Sequence, residues 1–221
     1  IFLSTALGTF IAYLTENDFP PGTIFLASFI ALFSILSIIF TNDLADEKVD
    51  RIKRKMYPNN SSPKTLPDSL LSKKLVLFLA FMSSLTLIGI GAYIEFSFER
   101  PYFTLMTCLI VLTNLFYSVW PIKLNYRFGG ELLEGIGVGF GLPYIMAYLG
   151  NGLIWHPLYL FFFGFFFLAL GSALCSGVCD VISDKKGGKK TLSVILGNKR
   201  TIYNIILCLI FSASTFMFLS Y

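Results

Sequence analysis

Long apolar runs alternate along this chain with short polar breaks, and most of the runs approach the roughly 20 residues of helix that cross a hydrocarbon layer about 30 Å thick. Seven can be marked, at 1–15, 22–41, 75–94, 101–119, 131–149, 157–179 and 202–221. The pattern predicts an all-α, polytopic transmembrane helical bundle of seven spans, forming a single domain over residues 1–221. The first run has neither a basic leader nor a small-residue cleavage site, so it reads as a span rather than a signal peptide. The chain begins at Ile1 without an initiator Met and stops at Tyr221 inside its last run, which reads as truncation at the C-terminal end.

Composition agrees with this layout: 55% of the residues are hydrophobic, 14% are charged and 24 are Phe, which excludes a disordered chain and a disulfide-stapled secreted module. The net charge of +4 gives no footprint for nucleic acid, and membrane lipids are the expected surroundings. The placement of the cations tests the span count. Eight Lys/Arg lie in residues 42–74, two (Lys123 and Arg127) in 120–130 and six in 180–201, which are the second, fourth and sixth connections; the other three connections hold Arg100 alone. The positive-inside rule assigns the cation-rich side to the cytoplasm. Cys108, Cys175, Cys179 and Cys208 all fall within spans and read as small buried hydrophobes rather than zinc ligands. His156, beside Trp155 on the opposite side, marks an interface. Gly89, Gly91, Gly135, Gly137, Gly139 and Gly141 allow close helix approach.

The informative carboxylates cluster where spans two and six meet the cation-rich side. If the helices continue through these segments, Asn42, Asp46 and Asp50 share one face, as do Asp180 and Asp184. Like charges about 6 Å apart oppose each other by roughly 3 kcal/mol at an effective dielectric near 20, so something must compensate them. Salt bridges to Lys48, Arg51 or Lys185 are one answer. Another is Mg²⁺, a hard cation that takes one or two carboxylates and shares its shell with phosphate oxygens. A diphosphate held this way, with basic residues around it, would explain why acids and bases mix here. The Phe-rich spans could then enclose an apolar tail.

These residues resemble the UbiA superfamily of intramembrane prenyltransferases. Its N-D-x-x-D-x-x-x-D signature stands as Asn42 to Asp50, its D-x-x-x-D as Asp180 to Asp184, and its Tyr-Ser followed by Pro and a basic residue as Tyr117-Ser118-Val119-Trp120-Pro121-Ile122-Lys123. The likeness runs from about the first span to Arg200. Two further stretches, Asn125 to Gly141 and Asp184 to Val194, are most similar to the branch that prenylates dihydroxynaphthoate in menaquinone biosynthesis, and the second is also similar to archaeal lipid-forming members. Two features depart from that branch: the first acidic motif has the generic spacing, and Ser62-Pro63-Lys64-Thr65-Leu66-Pro67 replaces the expected Arg-Pro pair. Members usually have nine spans, which implies two more beyond Tyr221.

The resemblance implies Mg²⁺ held by Asn42, Asp43, Asp46, Asp50, Asp180 and Asp184, and a prenyl diphosphate donor bound by Asn42, Lys123, Arg127, Lys185 and Lys189. Lys123, Arg127 and Tyr117 would be the catalytic groups, the cations stabilising the departing diphosphate and Tyr117 bonding the diphosphate or facing the allylic cation. Glu131 and Glu134, just inside span five, would hold metal or acceptor, or simply start a helix. The implied activity moves an isoprenyl group from a prenyl diphosphate to an aromatic quinone precursor, at a site facing the cytoplasm. Alternatives are an archaeal-type ether-lipid prenyltransferase, a prenyl cyclase, and an ion or proton-coupled transporter, though a transporter would want its acids near mid-span.

Overall fold

The computed structural model describes residues 1–16, 22–59, 63–119 and 121–220; Ser62, Trp120 and Tyr221, named above, lie outside the described residues. Among the described residues the secondary structure is entirely helical. Each predicted span becomes an apolar helix. The first two are α1 (Phe2–Thr15) and α2 (Thr23–Met56), followed by α3 (Lys73–Ser97) and α4 (Phe103–Ser118). The fifth is a continuous helix, Gly130–Asn151, made of α5 (Gly130–Glu134), a π-helical stretch Gly135–Gly141 and α6 (Leu142–Asn151). Then come α7 (Phe161–Gly187), the short α8 (Leu192–Leu196) and α9 (Asn198–Leu219). Five of these helices are long and apolar enough to cross a membrane by themselves; α1 and α4, at 14 and 16 residues, are shorter apolar helices. The protein is an integral membrane helical bundle.

Two helices outrun their apolar stretches, and this positions the site. α2 has 34 residues, about 51 Å of helix at 1.5 Å per residue, so Asn42 to Asp50 ride on unbroken helix past the end of the apolar run. Lys53, Arg54 and Lys55 in its last turn suit the negative end of the helix dipole. α7 likewise carries Asp180 and Asp184 before closing at Gly188, whose φ of 85° is a left-handed conformation that favours glycine. The two helix ends touch closely: a β-carbon at Gly187 would collide with Val49 of α2.

The bundle grades from apolar to polar along its axis. In one half, Ile30, Leu87, Ile94, Phe103, Met146 and Tyr148 form a buried core shared by α2, α3, α4 and α6. Midway, Ser37, Ser84, Asn114 and Thr41 form a closed polar belt: Asn114 Nδ2 donates to Ser37 Oγ at 3.1 Å, Thr41 Oγ1 donates to Asn114 Oδ1 at 3.1 Å, and the Ser37 and Ser84 hydroxyls bond at 2.8 Å. Beyond the belt lies the acidic end. Cys208 is buried and Cys108 partly so, whereas Cys175 and Cys179 are exposed on α7, a correction to their reading as buried residues. All four are free thiols. Cys175 and Cys179 lie one turn apart on α7 and both face out of the bundle, as apolar residues of a membrane helix can.

Candidate functional site

A cavity of about 250 Å³ opens at the end where α2, α4, α5 and α7 converge. Asp46 and Asp50 line it from α2, Asp180 and Asp184 from α7, Glu131 and Glu134 from α5, and Tyr117 from α4. The two acidic helix ends, 134 positions apart at Asp46 and Asp180 in the chain, therefore meet in one place.

Lysines offset most of the aspartates. Lys189 Nζ stands 2.7 Å from Asp46 Oδ2, Lys53 Nζ 2.5 Å from Asp180 Oδ1 and Lys64 Nζ 3.5 Å from Asp50 Oδ2, and all three lysines line the cavity. Local structure explains each. The αL turn at Gly188 lets the Lys189 amide donate to Asp184 O at 2.9 Å, which directs its side chain back across α2. Lys53 is three residues after Asp50, on the same helix face. Lys64 belongs to the segment after α2, which Asp43 holds down: this carboxylate, 2% exposed, accepts from the Thr65 amide at 2.9 Å, the Thr65 hydroxyl at 2.6 Å and Lys64 Nζ at 3.3 Å. Arg54 closes the same segment through Asp68 at 2.5 Å. Burial works against the charge on Lys64, but the Asp50 and Asp43 carboxylates outweigh it and hold its pKa above the ordinary lysine value.

The predicted site residues thus divide. Asp46, Asp50, Asp180, Asp184, Tyr117 and Lys189 line the cavity. Asn42, Asp43, Lys123, Arg127 and Lys185 do not. Asn42 Oδ1 accepts from Ser118 Oγ at 2.6 Å, which ties α2 to α4. Asp43 anchors the segment just described. Lys123, at a left-handed φ of 45°, sends its ammonium to Ala45 O at 2.9 Å and over the Tyr126 ring at 3.6 Å. Burial, together with nearby Lys189, places its pKa below the usual lysine value despite the attraction of Asp46. The Arg127 guanidinium donates to Pro121 O at 3.1 Å on the surface, and Lys185 is exposed.

Three contributors were missed from sequence: Lys53, Lys64 and Asn125. Extending the three-to-four spacing of the α2 acids by one turn reaches Lys53. Lys64 stood in view only as a departure from an expected Arg-Pro pair. Asn125, whose Nδ2 donates to Asp46 Oδ1 at 3.1 Å, lies in a quoted stretch but is placed by a 3₁₀ turn, Leu124–Tyr126, that no periodicity announces.

Among the described residues, no three of the acids stand close enough together to form a ready metal cage. The donor set nevertheless fits Mg²⁺ shared with phosphate: hard carboxylate oxygens approach from two helices, and Asp50 Oδ2 is buried with a long 3.5 Å ion pair to Lys64 and no hydrogen bond. Such an ion needs only one or two carboxylates from the protein.

A membrane-embedded helical bundle with an acid-rich, lysine-studded cavity at one end defines the class. The match to known families agrees with it: the description "UbiA prenyltransferase family" covers residues 1–221, and the chain belongs to that family. Among curated relatives, a 2-acylphloroglucinol 4-prenyltransferase of Humulus lupulus is 26% identical over 185 residues, 77% of this chain and 42% of the relative. A 2-acyl-4-prenylphloroglucinol 6-prenyltransferase of the same plant is 28% identical over 73% of this chain and 38% of its own length. A digeranylgeranylglyceryl phosphate synthase of Sulfolobus acidocaldarius is 25% identical over 99% of this chain and 75% of the relative. The chain thus spans about two fifths of the plant relatives it matches. No solved structure gives a significant match.

Proposed function

We propose that this protein transfers an isoprenyl group from a prenyl diphosphate to an aromatic acceptor of the quinone-precursor type, with Mg²⁺ as cofactor and the site facing the cytoplasm. One observation carries the reading: carboxylates from two distant helix ends line one cavity together with three lysines. Asp46, Asp50, Asp180 and Asp184 would hold the metal, which when bound would neutralise diphosphate oxygens. Lys53, Lys64 and Lys189, now paired with aspartates, are within the cavity to take up the charge that grows on the leaving diphosphate as the allylic C–O bond breaks. Tyr117 lines the same space, and its aromatic ring would face the electron-poor allylic carbon. Asp43, Asn42 and Lys123 support this set from behind by fixing the segments that carry it. The names of the two plant relatives, both aromatic-acceptor prenyltransferases, support an aromatic acceptor.

A second reading, transfer to a glyceryl phosphate lipid, is favoured by the synthase relative, whose match extends over nearly the whole chain. Incubating the purified protein with Mg²⁺, a series of prenyl diphosphates and both acceptor types, followed by mass spectrometry, tests the two. A prenylated aromatic product is expected. Turnover that persists in excess chelator would remove the metal assignment, and ion flux in liposomes without any prenyl diphosphate would favour a transporter instead.

A further inference from the structure

The aspartates and the glutamates of the cavity are treated differently. Each cavity lysine pairs with an aspartate, and among the described residues no ion pair reaches Glu131 or Glu134. Glu131 is 7% exposed; its Oε1 accepts from the Leu192 amide at 2.8 Å, and its Oε2 has no hydrogen-bond partner. Asn125, 3% exposed, spends its Nδ2 on Asp46, and its Oδ1 is likewise unpartnered. Two buried acceptor oxygens on residues lining one cavity thus lack a donor, which is costly unless a ligand brings one. The helix turns π-helical immediately after Glu134, a geometry frequent at functional sites.

We infer that Glu131, Glu134 and Asn125 form a second subsite, for the nucleophile: a neutral ring compound that donates hydroxyl hydrogens to these oxygens. An acceptor bearing its own carboxylate or phosphate is disfavoured, because among the described residues no Lys or Arg ion pair offsets Glu131 or Glu134. This rests on the proposed prenyl transfer and narrows its acceptor, away from dihydroxynaphthoate and toward uncharged hydroxylated rings. Glu131 also holds α8 through Leu192, so the informative substitution is Glu131→Gln, which keeps a carbonyl oxygen for that amide and replaces the second acceptor by a donor.

The test is equilibrium binding of an uncharged dihydroxynaphthalene, of dihydroxynaphthoate and of a glyceryl phosphate lipid to the full chain in detergent, with Mg²⁺ and a non-hydrolysable prenyl thiodiphosphate measured separately. The wild type is expected to prefer the uncharged ring. Glu131→Gln should weaken its binding about tenfold, the size of one lost hydrogen bond to a charged group, while thiodiphosphate binding stays within about twofold. Glu134→Gln should narrow the discrimination against dihydroxynaphthoate. Unchanged ring binding in Glu131→Gln, tighter wild-type binding of either anionic acceptor, or loss of Mg²⁺-dependent thiodiphosphate binding in Glu131→Gln would each overturn the subsite. A wild type that binds the ring as described but binds no thiodiphosphate would sink the donor reading alone.

Discussion

The two ends of the bundle use their polar side chains in opposite ways. At the end near Arg100, polar groups close on one another. Arg100 donates to Leu149 O at 3.2 Å and Gly150 O at 3.1 Å, Asn151 Nδ2 donates to Thr15 at 2.7 Å, and Asn151 Oδ1 receives the Tyr159 hydroxyl at 2.9 Å. The effect is to satisfy the last carbonyls of α6 and seal the helix ends. At the other end, six acids surround three lysines in an open cavity, and the buried Asn125 Oδ1 and Glu131 Oε2 have no hydrogen-bond partner. Closed polar networks stabilise; an unbalanced, like-charged one persists because something else compensates it. That difference separates scaffold from site without reference to any relative.

The comparison can be broken most directly at the cavity. Asp46→Ala or Asp180→Ala should cut prenyl transfer by on the order of 10²–10³ while leaving helicity and the thermal midpoint near normal; near-wild-type rates would detach these residues from the chemistry. Lys189→Met should fall next, by about tenfold to a hundredfold, read as lost kcat rather than lost fold. At the sealed end the signs reverse: Arg100→Met should lower stability by about 1–3 kcal/mol in denaturation without changing turnover of the folded protein. An effect on kcat alone would contradict a purely structural end. Arg127→Ala should change activity by less than about twofold, because its guanidinium donates to the Pro121 carbonyl on the surface and does not line the cavity. Cys175→Ala should be nearly silent in both assays, given its exposed thiol.

Much of this was legible in the chain because both governing periodicities are one-dimensional. Run length gave seven helices, and the four-residue spacing of Asn42, Asp46 and Asp50 gave one face of α2. The cation count separated the two ends before any helix was placed, since a wrong number of spans would have scattered the lysines. What the spacing could not reveal is which neighbours compete for a side chain. Asp43 looks equivalent to Asp46 in the motif, yet three residues of helix leave the two about 60° apart around the axis and roughly 4.5 Å apart along it, and Asp43 binds Thr65 and Lys64 rather than lining the cavity. Lys123 and Arg127 sit in a connection whose path is set by a left-handed residue and a 3₁₀ turn, so their proximity to the motif in sequence did not fix where their charges point. The exposure of Cys175 and Cys179 was similarly hidden, because an apolar residue on a membrane helix can face inward or outward with equal ease.

The central claim is that the ends of α2 and α7 act as one clamp on a diphosphate. A double-mutant cycle on Mg²⁺-dependent binding of a prenyl thiodiphosphate addresses it: wild type, Asp46→Ala, Asp180→Ala and the double variant. If the clamp is shared, either single substitution removes most of the metal-dependent affinity and the double variant is scarcely weaker than either. Additive losses, or a single variant that binds like the wild type, would show that the two helix ends work separately.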